Sequence, residues 1–166
     1  MKKGENKKGF TIIEVVLVLG IAGLIFLMMM IALPALRRTQ ADSQRKDDIA
    51  RLLSAIKNYQ TNNRGALPTD WTQTSELVNK YLPDNFKDPD GENYVLVAED
   101  CQKDTSGNCK QTEDLETNEE HAFPNGHIMY VMKGATCGDT LPKKAANNRK
   151  VAVVYKLEAG VFCNNT

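Results

Sequence analysis

The chain has 166 residues, room for one domain and an appendage. Its 21 basic and 21 acidic residues cancel, so net charge gives no reason to expect a general nucleic-acid binder. No P-loop, GxSxG, HExxH or dinucleotide-binding string occurs, so nothing points to a motif-defined enzyme, and no catalytic residue or cofactor is expected.

The chain opens on a basic stretch. Lys2, Lys3, Lys7 and Lys8 stand against Glu5 before Phe10, which leaves 17 basic and 20 acidic residues downstream. From Val15 to Leu33 there is no charge, and Val, Leu, Ile and Met dominate. A helix from Phe10 to Leu33 would rise about 36 Å at about 1.5 Å per residue. A hydrocarbon core is roughly 30 Å thick, so this segment is expected to span it. A secretory signal peptide also pairs a basic start with an apolar run. Here the run is too long for that, and no small-x-small cleavage site follows. Ala35 is followed by Leu36, Arg37 and Arg38, which suit a membrane interface. The apolar segment is therefore expected to remain on the mature protein. Four lysines before the span against two arginines after it place the N-terminus in the cytoplasm.

Glu14 stands just inside this span. A carboxylate costs roughly 2.5–3.5 kcal/mol at mid-bilayer and less near the edge. Two readings compete: a first-turn acid favoured by the helix dipole, or a functional intramembrane acid. The surrounding string Lys-Lys-Gly-Phe-Thr-Ile-Ile-Glu, Lys7 to Glu14, resembles the prepilin processing site of type IV pilins and pseudopilins. The resemblance implies cleavage between Gly9 and Phe10 by a membrane peptidase on the cytoplasmic side. It also implies N-methylation of Phe10 and pairing of Glu14 with the new amine of a neighbouring subunit during assembly. Charge physics agrees, because opposite charges in a low-dielectric bundle offset each other's desolvation, and a lost partner leaves a buried charge unpaired. Gly9 suits the cut, since a residue without Cβ lets a protease approach the backbone.

That likeness carries further expectations. Residues 1–9 would be a cleaved leader, 10–36 the transmembrane and filament-core helix, and 37–166 a periplasmic or extracellular head. The fold would be α+β, a long N-terminal helix packed by its amphipathic half on a C-terminal antiparallel sheet, as in pilins. Implied partners are further copies of the chain, a prepilin peptidase and methylase, an inner-membrane platform protein with assembly ATPases, and minor pilins. The chain would sit in the cytoplasmic membrane before assembly and on a surface filament afterwards, serving adhesion, twitching motility or DNA uptake, with contact to a host surface or DNA. Pro34 lies a few residues later than the helix-kinking proline of many pilins, and a kink is expected there. The alternatives are a pseudopilin of a type II secretion or competence system, and a lone membrane-anchored binding domain. A lone anchor would not need Glu14.

Beyond Pro34, Ile49, Leu52, Leu53, Ile56 and Tyr59 recur at helical spacing, with Asp48, Arg51 and Lys57 expected elsewhere on the helix. Asn62-Asn63-Arg64-Gly65 ends the helix, with Gly65 as the expected cap. Ser75 to Leu82 reads as a short helix with Leu77, Val78, Tyr81 and Leu82 inward. Asp88-Pro89-Asp90-Gly91 is a turn signal. Strands are expected at Tyr94–Glu99, Ile128–Lys133, Val151–Leu157 and Val161–Cys163, the last after a Glu158-Ala159-Gly160 turn. Gln111 to Glu120 is an acidic loop.

Four cysteines, Cys101, Cys109, Cys137 and Cys163, follow the membrane segment without CxxC spacing. Their even number reads as two disulfides in an oxidising compartment. Of three pairings, Cys101–Cys109 closes a short polar loop and Cys137–Cys163 ties the central strands to the C-terminal one. The oxygen-rich stretch Asp84 to Asn93 lacks EF-hand spacing and is read as a solvated turn, so no metal is expected. Neither His121 nor His127 has a catalytic or metal spacing. Lys143, Lys144, Arg149 and Lys150 form a basic loop, read as solvated. Asn164-Asn165-Thr166 formally matches a glycosylation sequon.

Overall fold

The computed structural model describes residues 9–82, 86–109, 127–138, 141–157 and 160–166. Contacts divide the chain into two compact units, Met1–Gln40 and Ala41–Thr166. A helix, α1 (Ile12–Asn62), contributes to both.

In the first unit every described residue is exposed, including apolar side chains from Phe10 to Leu36. The helix passes through Pro34 without interruption. Proline has no N–H, so the helical bond to the Met30 carbonyl is missing there. This segment is long and apolar enough to cross a membrane.

In the second unit α1 turns Ile49, Leu52, Leu53, Ala55 and Ile56 inward, while Arg51 and Lys57 stay exposed. Asp48 does not face away as its charge suggested. It is buried, because Tyr94 and Arg51 supply hydrogen bonds that offset its lost hydration. The helix cap also differs from expectation. The Gly65 amide donates to the Gln60 carbonyl at 2.7 Å, a six-to-one bond that makes Arg64, with φ 55°, the left-handed capping residue. Gly65 follows it with φ 84°. A short helix, α2 (Glu76–Tyr81), starts on Ser75, whose hydroxyl accepts from the Val78 amide.

Six strands follow: β1 (Val95–Asp100), β2 (Ile128–Lys133), β3 (Ala135–Cys137), β4 (Pro142–Lys144), β5 (Val151–Leu157) and β6 (Gly160–Asn165). Four form a sheet in the order β1-β2-β5-β6, and β3 and β4 pair separately. The sheet is antiparallel-rich, but β1 and β2 run parallel, Val95 opposite Ile128 through Asp100 opposite Lys133. This corrects the all-antiparallel expectation. Residues 101–127 lie between the two strands, more than the dozen or so a parallel return needs.

The central strand β5 is buried on both faces. Val151, Val153 and Tyr155 join Ile49, Leu52, Ile56, Leu77, Tyr94 and Met129 in the main core with α1. On the other face, Ala152 packs with Met132, Ala135, Cys101 and Cys109, and Val154 with Leu141. The disulfides Cys101–Cys109 and Cys137–Cys163 belong to this second layer. An α+β head thus has one helix-covered face and one face closed by two disulfides, β3 and β4. The acidic loop 111–120, His121, Asp84, most of the leader and the first two residues of the 158–160 turn fall outside the described residues.

Candidate functional site

Two places gather the chain's chemistry. The first is the start of α1. Gly9 and Phe10 precede it, and Phe10 is 92% exposed. Thr11 is the residue before the first helical turn, and Glu14 is the third residue inside it. The Thr11 amide and hydroxyl both donate to Glu14 Oε2, at 2.9 and 2.7 Å. A first-turn acid reaching back to the capping amide is half of a capping box. The carboxylate is thereby held at the helix start, one residue beyond the position where cleavage after Gly9 would leave an amine. The same geometry fits a simple helix-end role for Glu14. Thr11 is the residue that separates the two readings, and the sequence reading passed over it, although T-x-x-E spacing was its signal.

The second is a buried ionic cluster inside the head. Arg45 donates through Nε to Asp88 Oδ2 at 2.9 Å and through an Nη to Asp88 Oδ1 at 3.0 Å. Its other contacts are Asp42 at 3.4 Å and Asp90 at 3.3 Å. The Tyr155 hydroxyl donates to Asp88 Oδ2 at 2.9 Å, and the Asp90 amide to Asp88 Oδ1 at 3.1 Å. One helical turn on, the Tyr94 hydroxyl donates to Asp48 Oδ2 at 3.0 Å, and Arg51 to Oδ1 at 3.0 Å.

The two buried acids respond oppositely to this environment. For Asp88, burial favours the neutral acid, but Arg45, the Asp90 amide and Tyr155 outweigh it, so its carboxyl is held below the usual range. For Asp48, burial wins over the bonds from Tyr94 and Arg51, and its carboxyl is pushed up. Burial, with the carboxylates next to them, raises both tyrosine hydroxyls, so Tyr94 and Tyr155 remain protonated donors.

The turn expected at Asp88-Pro89-Asp90-Gly91 forms, with the Gly91 amide donating to the Asp88 carbonyl at 2.8 Å and Asp90 to Asn93 exposed, but its first side chain is not solvated. Asp88 is only 2% exposed. The signal was present: Asp42, Arg45 and Asp48 recur every three residues, in line with Ile49 and Leu52, so charges continue the inward stripe. Asp88, Asp90 and His127 also bring ligand-type atoms within 4.8 Å of one another. His127 Nδ1 is buried without a hydrogen-bond partner, 3.7 Å from Asp88 Oδ1. Arg45 already holds both Asp88 oxygens, however, and its charge opposes a second cation there. The geometry is that of a clamp between α1 and the 88–91 turn. Of the basic loop, Lys143 and Lys144 lie on β4, and Arg149 and Lys150 precede β5.

Scans against protein-family models, curated proteins and solved structures return no match.

Proposed function

We propose that the chain is a structural, non-enzymatic subunit of a type IV pilus. A prepilin peptidase cleaves it after Gly9, Phe10 is methylated, and the apolar helix leaves the membrane to pack in a filament core with the heads outside. One observation carries the reading: in sequence the Lys7–Glu14 string leads into a helix whose apolar side chains from Ile12 to Leu36 are all exposed. Exposed apolar surface on this scale needs an external apolar surrounding, lipid before assembly and neighbouring helices afterwards. A disulfide-containing head after such a span fits an oxidising compartment. The machinery required is a peptidase and methylase, a platform protein, an assembly ATPase and minor pilins, and the filament serves adhesion, twitching motility or DNA uptake.

Intact mass of purified filaments tests this proposal. The expected species begins at a methylated Phe10, and a mass retaining Met1 to Gly9 overturns the processing step. A pseudopilin would share that mass. Imaging of cells lacking the protein distinguishes it, since loss of long surface fibres marks a major subunit. A lone membrane anchor would show neither the processed mass nor the fibres.

A further inference from the structure

The chain has six methionines, and beyond Met1 they fall into two groups with opposite surroundings. Met129 and Met132, on β2, are fully buried in the head. Met28, Met29 and Met30 are consecutive on α1 and exposed at 63%, 60% and 62%. Neighbouring residues on an α-helix are turned by about 100° from each other, so three in a row fan over about 200° of the circumference. A contact on almost any face of this segment therefore includes or borders a thioether. Met29 lies about 28 Å along the helix from Phe10, at about 1.5 Å per residue. That is close to the far side of a roughly 30 Å hydrocarbon core, shortly before the exposed pair Arg37 and Arg38. With Phe10 on the cytoplasmic side, the three sulfurs stand at the edge nearer the head, whose disulfides Cys101–Cys109 and Cys137–Cys163 fit an oxidising compartment.

Leucine, isoleucine and valine fill most of the rest of the span and would cross a bilayer equally well, so insertion does not require sulfur here. What a thioether adds is an oxidisable lone pair. We propose that Met28–Met30 is a site of reversible oxidation to methionine sulfoxide by hydrogen peroxide. The sulfur lone pair attacks one peroxide oxygen, an S–O bond forms and the O–O bond breaks. Sulfur gives up two electrons, the peroxide is reduced, and the proton on the transferred oxygen leaves with the other oxygen as water. A dithiol-dependent sulfoxide reductase reverses the step, releasing the oxygen as water while its two thiols become a disulfide. The sulfoxide is polar on a segment whose neighbours along the helix are apolar. In the filament reading, on which this consequence rests, the new oxygen is buried at a helix contact without a donor, and packing weakens. Met129 and Met132 are shielded by the core of the head, so the same oxidant leaves the head folded. The switch acts on the span alone.

The test is peptide mass mapping of the full chain in vesicles of saturated phosphatidylcholine, after graded exposure to hydrogen peroxide. Oxygen should appear on Met28–Met30 at least about tenfold faster than on Met129 and Met132, and unfolding the head in urea should remove the difference. Oxidation of the head methionines as fast as the span overturns the site, and so does a span that stays unmodified. The consequence is read in cells. Brief peroxide exposure should lower sheared-filament yield by about tenfold, while Met28→Leu, Met29→Leu and Met30→Leu together should keep it, since leucine has similar volume and is not oxidised. Equal losses in parent and triple variant, or no loss in the parent, overturn the switch. The mapping needs no filament, so its outcome stands apart from the filament reading, which fails separately if untreated cells make no processed fibres.

Discussion

The two parts of α1 invert each other. Before Gln40 its large apolar side chains are exposed, from Ile12 at 85% to Leu33 at 46%. After Ala41 the same helix buries charges: Asp42, Arg45 and Asp48 are each under 9% exposed. The difference lies in where the partners come from. Arg45 and Asp48 meet theirs, Asp88 and Tyr94, within the chain, and charge is tolerated inside because every burial is matched. The described residues of the apolar stretch are all exposed, and on the proposed reading their burial comes from lipid or from other copies. One part of the helix is folded by its own sequence, and the other is finished by its surroundings.

The largest effect that could break this comparison is at Glu14. Glu14→Ala should insert normally, since alanine is easier to place in lipid than glutamate. Assembly should fail, because the Phe10 ammonium would be buried unpaired at about 3–5 kcal/mol per subunit. Thr11→Ala should cost only about 0.5–2 kcal/mol of helix-end stability and leave fibres largely intact. Sheared-filament yield against membrane-retained protein measures both. Equal yields from the two variants would make Glu14 a capping residue and remove its assembly role.

In the head the corresponding break is Asp88→Ala. It leaves the Arg45 guanidinium, 10% exposed, with only the longer Asp42 and Asp90 contacts at 3.4 and 3.3 Å, and removes the acceptor for Tyr155. A loss of about 3–5 kcal/mol is expected in urea unfolding of the full chain in detergent. A loss below about 1 kcal/mol would mean that the clamp contributes little.

The smallest effect sharpens the contrast between the two buried acids. The Asp88 carboxyl is depressed in the fold, so its contribution is present above the unfolded carboxylate value of about 3.9 and is lost as pH falls through the lower folded value. Asp48 is raised, so its contribution is complete below about 3.9 and is lost as pH rises through the higher folded value. Asp48→Asn keeps an acceptor for Tyr94 and removes that titration. Its stability relative to the parent should therefore rise by about 1 kcal/mol or less as pH increases from about 4 to 6, while the acid-side loss due to Asp88 persists. A difference that stays constant across this range would show that Asp48 does not titrate with folding.

Much of this protein was legible locally. An uncharged run of bilayer length, a stripe at helical spacing and Val-rich strand segments are short-range patterns, and they located α1, α2, β1, β2, β5 and β6 to within a residue or two at most ends. The three-residue strands β3 and β4 carry too few residues for a period to show, and they exist because β5 needs its second face covered. The parallel pairing of β1 with β2 is a long-range choice that no local pattern encodes. Asp88 read as a solvated turn residue because its partner Arg45 is 43 residues away. What the sequence alone determined is what depends on neighbours a few residues apart: the span, the apolar stripe of the helix and the Val-rich strands. Tertiary structure decided which charges could be buried and which had to stay exposed, because that depends on partners supplied by distant segments.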